Sequence, residues 1–160
     1  MRKAFLTLFY SGLSPKAPGT VGSIVALFMG LALLQYVHES TLFLLSLLIT
    51  AVAVKQIDIY EKEVGAHDGK EIVIDELAGM WLALSICGIN IHDTNNTIIL
   101  GALAFLFFRL FDIWKPSIIG KIDRDVKGGW GVMGDDLLAG LAAGIAAAGT
   151  YQLLLKFIIN

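Results

Sequence analysis

Five apolar stretches, 21–37, 41–57, 74–91, 97–114 and 137–159, constrain what this chain can fold into. The first four are 17 or 18 residues long, at the short end of the roughly 17–25 residues a helix needs to cross a bilayer. They are too long for strands and show no period-2 alternation, so helices are expected. Only 16% of the 160 residues are charged and 56% are hydrophobic. Mean hydropathy is +0.74. A water-soluble domain carries roughly 25% charged residues, so the polar side chains here are too few to cover a water-facing surface. The expected fold is all-α: a compact, membrane-embedded multi-helix bundle forming a single domain over 1–160. A soluble, very apolar bundle is the alternative. Small residues recur at helical spacing, with Gly22, Ala26 and Gly30 on one face and a GxxxG at Gly140 and Gly144. Such stripes let helix backbones approach closely in lipid.

The charges are unevenly spread. Residues 55–76 hold ten of the 26 Asp, Glu, Lys and Arg residues, and 109–136 hold ten more. The turns at 38–40 (HES) and 92–96 (HDTNN) contain no Lys or Arg. Threading the helices in and out brings both charged segments to one side with Arg2, Lys3 and Lys16. The positive-inside rule makes that side cytoplasmic. Three polar segments then meet at one face, which is the geometry of a site. The net charge of −2 argues against a nucleic-acid footprint. The lone Cys87 permits no intramolecular disulfide and reads as a small buried apolar residue. The N-terminus, basic and then apolar without a clear cleavage site, reads as an interface-lying segment.

Three acidic segments and one loop carry candidate chemistry. In HDGKEIVIDE (67–76), Asp68 and Glu71 are spaced as a helix cap. A helix from Gly69 would set Glu71 and Asp75 on one face. Asp75 and Glu76 are either first-turn charges favoured by the helix dipole or ligands for a hard cation such as Mg²⁺, which carboxylates hold together with substrate phosphates. Acids amid apolar residues are costly unless used, which favours ligands. In FRLFDIWKP (108–116), Arg109 and Asp112 are i and i+3, and Lys115 precedes Pro116. They form either an intrahelical ion pair with a snorkelling lysine or a metal carboxylate with two cations for an anionic head group. In KGGWGVMGDD (127–136), a glycine-rich loop allows close approach of backbone to ligand. Asp135 and Asp136 then open the last helix as dipole-favoured acids or metal ligands. In SGLSPKAPGTVGS (11–23), Ser14, Lys16 and Thr20 stand at a helix N-terminus suited to phosphate. A plain turn with an interfacial lysine is the simpler reading, and no Walker A pattern is present.

Other chemistries fit poorly. Cys87 sits mid-helix without basic neighbours. DRDVK (123–127) lacks the fifth residue and the preceding strand of an aspartyl-phosphate motif. His38, His67 and His92 show no metal-ligand spacing. Acids, Lys and Arg around glycine-rich loops remain, a composition suited to metal-assisted phosphoryl chemistry.

The stretches SGLSPKAPGTVGS, EIVIDELAGMW, FRLFDIWKP and KGGWGVMGDDLLAG, in that order, resemble the phosphatidylglycerophosphatase A family of bacterial membrane phosphatases. The resemblance implies Mg²⁺-dependent hydrolysis of the terminal phosphate of phosphatidylglycerophosphate, giving phosphatidylglycerol and inorganic phosphate. It places the motif acids on Glu71, Asp75, Glu76, Asp112, Asp135 and Asp136, and the motif cations on Lys16, Arg109, Lys115 and Lys127. The expected metal ligands are Asp75, Glu76, Asp112, Asp135 and Asp136, holding one or two Mg²⁺. The expected phosphate contacts are Ser14, Lys16, Thr20, Arg109, Lys115 and Lys127. Asp75, Asp136, Glu71, Lys16, Lys127 and Arg109 form the expected catalytic set. The partners implied are the lipid substrate and the bilayer, with a homodimer left open. The location implied is the bacterial inner membrane, with the active face cytoplasmic. A helical pyrophosphohydrolase of soluble nucleotides and a non-enzymatic transporter subunit are the rival functions.

Overall fold

A computed structural model describes residues 1–65 and 69–159; His67 and Asp68, with the cap expected there, lie outside them. The described residues are mostly helical and contain no strand. A short α1 (Arg2–Leu6) and a 3₁₀ turn (Ser11–Leu13) lead into α2 (Pro18–Leu34), α3 (Glu39–Val64), α4 (Ile74–Ile86), α5 (Thr94–Trp114), α6 (Ile118–Asp125) and α7 (Gly129–Ile159). Three of these, α3, α5 and α7, are long and apolar enough to cross a membrane, whereas α2 is a shorter apolar helix.

The stretch at 74–91 is not a fourth such helix. At 13 residues, α4 is about 20 Å long at 1.5 Å per residue, well short of a roughly 30 Å hydrocarbon core. It is instead the centre of the bundle, in contact with α2, α3, α5 and α7. Every residue from Glu76 to Leu84 is buried, as expected for a helix apolar all round.

The small-residue stripes make that enclosure possible. A Cβ on Gly22 would lie 2.8 Å from Val73 Cβ, and one on Gly30 would lie 2.6 Å from Leu84 Cδ1. A Cβ on Gly140 would collide with the Gly79 carbonyl oxygen, and one on Gly144 would sit 2.9 Å from that of Ala83. Polar side chains add interhelical bonds of the kind that hold helices together in lipid. Ser46 Oγ donates to the Ala78 carbonyl at 2.7 Å, and Trp81 Nε1 donates to that of Ala26 at 3.0 Å.

Several boundaries differ from the sequence expectation. The helix after residue 69 starts at Ile74, so Glu71 lies in the preceding turn and shares no helix face with Asp75. The glycine-rich segment 129–134 is the first part of α7 and not a loop, so Asp135 and Asp136 lie inside that helix. The reason is close packing: Cβ atoms on Gly129 and Gly131 would overlap the Val54 and Val126 carbonyl oxygens. Asp58 of α3 also caps the start of α7, with its Oδ1 accepting from Gly129 N–H at 2.7 Å. Lys115 follows the end of α5 in the left-handed region (φ 47°), just ahead of Pro116. The two charged segments converge at one end of the bundle, while the turns carrying His38 and His92 line a separate cleft.

Candidate active site

The converging charged segments line a cleft of about 230 Å³. Its acids are Asp75 and Glu76 from the first turn of α4, Asp112 from the end of α5, Asp123 from α6, and Asp135 and Asp136 from α7. Its cations are Lys70 and Lys115. The three acids Glu76, Asp135 and Asp136 are only 6%, 5% and 3% exposed, burial that an ionised carboxylate bears only when compensated.

Part of the compensation is visible. Arg109 Nη1 donates to Glu76 Oε1 and Oε2 at 2.7 and 2.8 Å, and lies 2.6 Å from Asp112 Oδ2. Ser23 Oγ donates to Glu76 Oε2 at 2.6 Å, and Arg109 Nη2 donates to Thr20 Oγ1 at 3.3 Å. Arg109 thus binds protein acids and does not line the cleft. Lys115 Nζ bridges Asp123 Oδ1 at 2.5 Å and Asp135 Oδ2 at 2.6 Å. Burial opposes the Lys115 charge, but these two acids outweigh it and hold the pKa above the ordinary lysine value.

Among the described residues this compensation is incomplete. Glu76, Asp112 and Asp136 each offer a carboxylate oxygen, all within 4.8 Å of one another. Asp135 Oδ1 is buried and has no hydrogen-bond partner among the described residues. Oxygen donors converging in this way suit a hard divalent cation.

The remaining candidates fall elsewhere. Glu71 accepts from the Tyr60 hydroxyl at 2.8 Å and lies outside the cleft lining. That bond is the main cause lowering its pKa, helped by a backbone bond and Lys3 and opposed by burial. Lys16 and Lys127 are exposed and are not among the lining residues. Ser14 Oγ donates to the Lys16 carbonyl at 2.9 Å, which closes the turn before α2. The Cys87 thiol is buried, and that burial pushes its pKa up to about 12, the wrong direction for a nucleophile.

Sequence reasoning passed over four residues that shape the site. Lys70 stands in a segment already singled out for its acids. Asp123 stands in the rejected DRDVK motif. Ser23 lies in the second turn of α2, where its bond to Glu76 had no local signal. Asp58 acts across 71 residues of sequence, which no local pattern reveals.

The phosphatidylglycerophosphatase A family pattern matches residues 4–151. The chain belongs to the phosphatidylglycerophosphatase A family. It is 39% identical over 140 residues to the phosphatidylglycerophosphatase A of Escherichia coli K12, covering 86% of this chain and 76% of that one. It is 34% identical over 135 residues to that of Haemophilus influenzae Rd, covering 84% and 79%. A Bacteroides thetaiotaomicron protein provisionally named a phosphatidylinositol-3-phosphatase is 35% identical over 146 residues, covering 89% and 88%. No solved structure matches the chain. The relatives are phosphatases by name, and the family match over residues 4–151 spans every residue that lines the cleft.

Proposed function

We propose that this protein hydrolyses the terminal phosphate monoester of phosphatidylglycerophosphate, releasing phosphatidylglycerol and inorganic phosphate with Mg²⁺ as cofactor. The observation that carries this reading is the carboxylate cleft at one end of a bundle with three helices fit to span a membrane. A lipid whose acyl chains stay in the bilayer presents its phosphates at that level. The name of the Escherichia coli relative supplies the head group. The charged segments hold eight of the 12 Lys and Arg residues while the turns at 38–40 and 92–96 hold none, a bias that supports a cytoplasmic cleft in a bacterial inner membrane.

Asp75, Asp112, Asp135 and Asp136, with Glu76, would hold the cation. Bound Mg²⁺ supplies charge neutralisation at the phosphoryl oxygens and activation of the attacking water. Water adds to phosphorus, the bond from phosphorus to the glycerol oxygen breaks, and that oxygen leaves with a proton. Arg109 fixes Glu76 and Asp112 and is a positioning residue. Lys115, kept charged by two acids, acts as a fixed cation beside the phosphate and not as a proton donor. Lys16 and Lys127, on the exposed surface, would steer an anionic head group without touching the reacting phosphate. Glu71 holds its segment through Tyr60 and takes no part in proton transfer.

The carboxylates cluster at one end of the bundle, whereas transport sites lie near the bilayer midplane, which counts against a transporter. Asp75→Ala tests the assignment. Phosphate release should fall to background while the detergent-purified variant keeps the parent's helical circular dichroism. More than a few per cent of parental turnover would remove Asp75 from the mechanism.

A further inference from the structure

Lys70 has no role in the account above, and its setting is unusual. Of the two cations lining the cleft, Lys115 is committed to Asp123 and Asp135. Lys70 is exposed at the rim and makes no ion pair or side-chain hydrogen bond among the described residues. The segment that follows it, by contrast, is tied down. Ile72 N–H donates to the Gly69 carbonyl at 2.8 Å, and Val73 N–H donates to that of Leu6 at 2.9 Å. The Tyr60 hydroxyl donates to Glu71 at 2.8 Å. The turn at Ser11–Leu13 presses so closely on this segment that a Cβ on Gly12 would overlap the Glu71 carbonyl oxygen. A tethered segment therefore sets into the cleft lining, alongside the buried carboxylates, an ammonium that no described residue engages.

The proposed substrate carries two different phosphates. The terminal monoester is the one attacked, and it belongs at the carboxylate floor with the metal. The other is a diester, joining the same glycerol to the lipid, and it must sit higher, toward the rim. We propose that Lys70 binds this diester phosphate and so selects lipids bearing a phosphodiester next to the terminal monoester. A lysine ammonium meets a phosphate as a point charge, which suits an anion to be held but not cleaved. The inference rests on the proposed function and adds to it a residue that reads the unreacting part of the head group.

The two reaction products separate the two phosphates. Short-chain phosphatidylglycerol carries only the diester, and inorganic phosphate stands for the monoester. Each is measured as an inhibitor of phosphate release from phosphatidylglycerophosphate in detergent, with the parent, Lys70→Ala and Lys70→Arg. Lys70→Ala should raise the inhibition constant for phosphatidylglycerol by at least about tenfold, equivalent to about 1.4 kcal/mol. The constant for inorganic phosphate should stay within about twofold, and Lys70→Arg should recover most of the phosphatidylglycerol affinity. Equal changes in both constants, no change in either, or a parent insensitive to phosphatidylglycerol would overturn the assignment. A parent that releases no phosphate at all would instead refute the function itself, and this inference with it.

Discussion

Arg109 is the residue whose removal tests the electrostatics of the site most severely. Its guanidinium contacts both oxygens of Glu76 and one of Asp112, and the Arg109 and Glu76 side chains are only 14% and 9% exposed. Arg109→Met keeps most of the apolar stem and deletes the charge. Glu76 then retains only the Ser23 hydroxyl among its present side-chain partners. Breaking a buried pair by removing one partner costs about 3–5 kcal/mol, because the remaining charge stays buried and uncompensated. For a chain of this size, roughly 2–4 °C of melting temperature accompanies each kcal/mol, so a fall of about 6–20 °C is expected. The assay is thermal unfolding in detergent with EDTA, followed by circular dichroism. Adding Glu76→Gln to the same chain should recover part of the loss, since an amide tolerates burial better than a carboxylate. Millimolar Mg²⁺ should also recover part, because a cation among Glu76, Asp112 and Asp136 supplies the missing charge. A variant melting within about 1 °C of the parent in EDTA would refute the claim that Arg109 compensates these acids.

Three further outcomes follow, two from the packing and one from the α4 entry segment. Gly140→Ala places a methyl group against the Gly79 carbonyl and should cost about 1–3 kcal/mol by overpacking; it should also lower turnover by prising α7 from α4. Gly149→Ala, with nothing within 4 Å of the new Cβ, should leave both melting temperature and turnover unchanged or slightly raised. The lowered pKa of Glu71 stabilises the fold above its unfolded value of 4.5, and that stability is lost as pH falls through the folded value. Tyr60→Phe removes the main cause, so melting temperature should fall by the equivalent of about 1 kcal/mol at neutral pH and less below pH 4.5. An equal drop at both pH values would show that the Tyr60 bond does not set the Glu71 titration.

Much of this arrangement was legible in the chain because lipid-facing helices advertise themselves by length. The apolar stretches at 41–57 and 97–114 mark α3 and α5, and the small-residue stripes of α2 and α7 mark the faces turned to α4. The acids at 75, 76, 112, 135 and 136 converge because their segments all lie at one end. Depth was less legible. Hydropathy does not separate a helix buried in protein from one facing lipid, so α4 reads like its neighbours although it is too short to span. Glycines at 129 and 131 signal flexibility in sequence but serve close packing in the fold, which moves Asp135 and Asp136 inside α7. Cations were hardest to place. Lys16 and Lys70 look alike in sequence, yet of the two only Lys70 reaches the cleft lining, where its segment is tied through Val73 to Leu6 and through Glu71 to Tyr60.

The central claim is metal-dependent release of phosphate from a lipid head group. Its most direct measurement is inorganic phosphate released from phosphatidylglycerophosphate by the purified protein in mild detergent, with Mg²⁺ and with EDTA. The account predicts steady release with Mg²⁺ and none with EDTA, restored when Mg²⁺ is returned in excess. Folded protein that releases no phosphate in either condition, or the same amount in both, would contradict it.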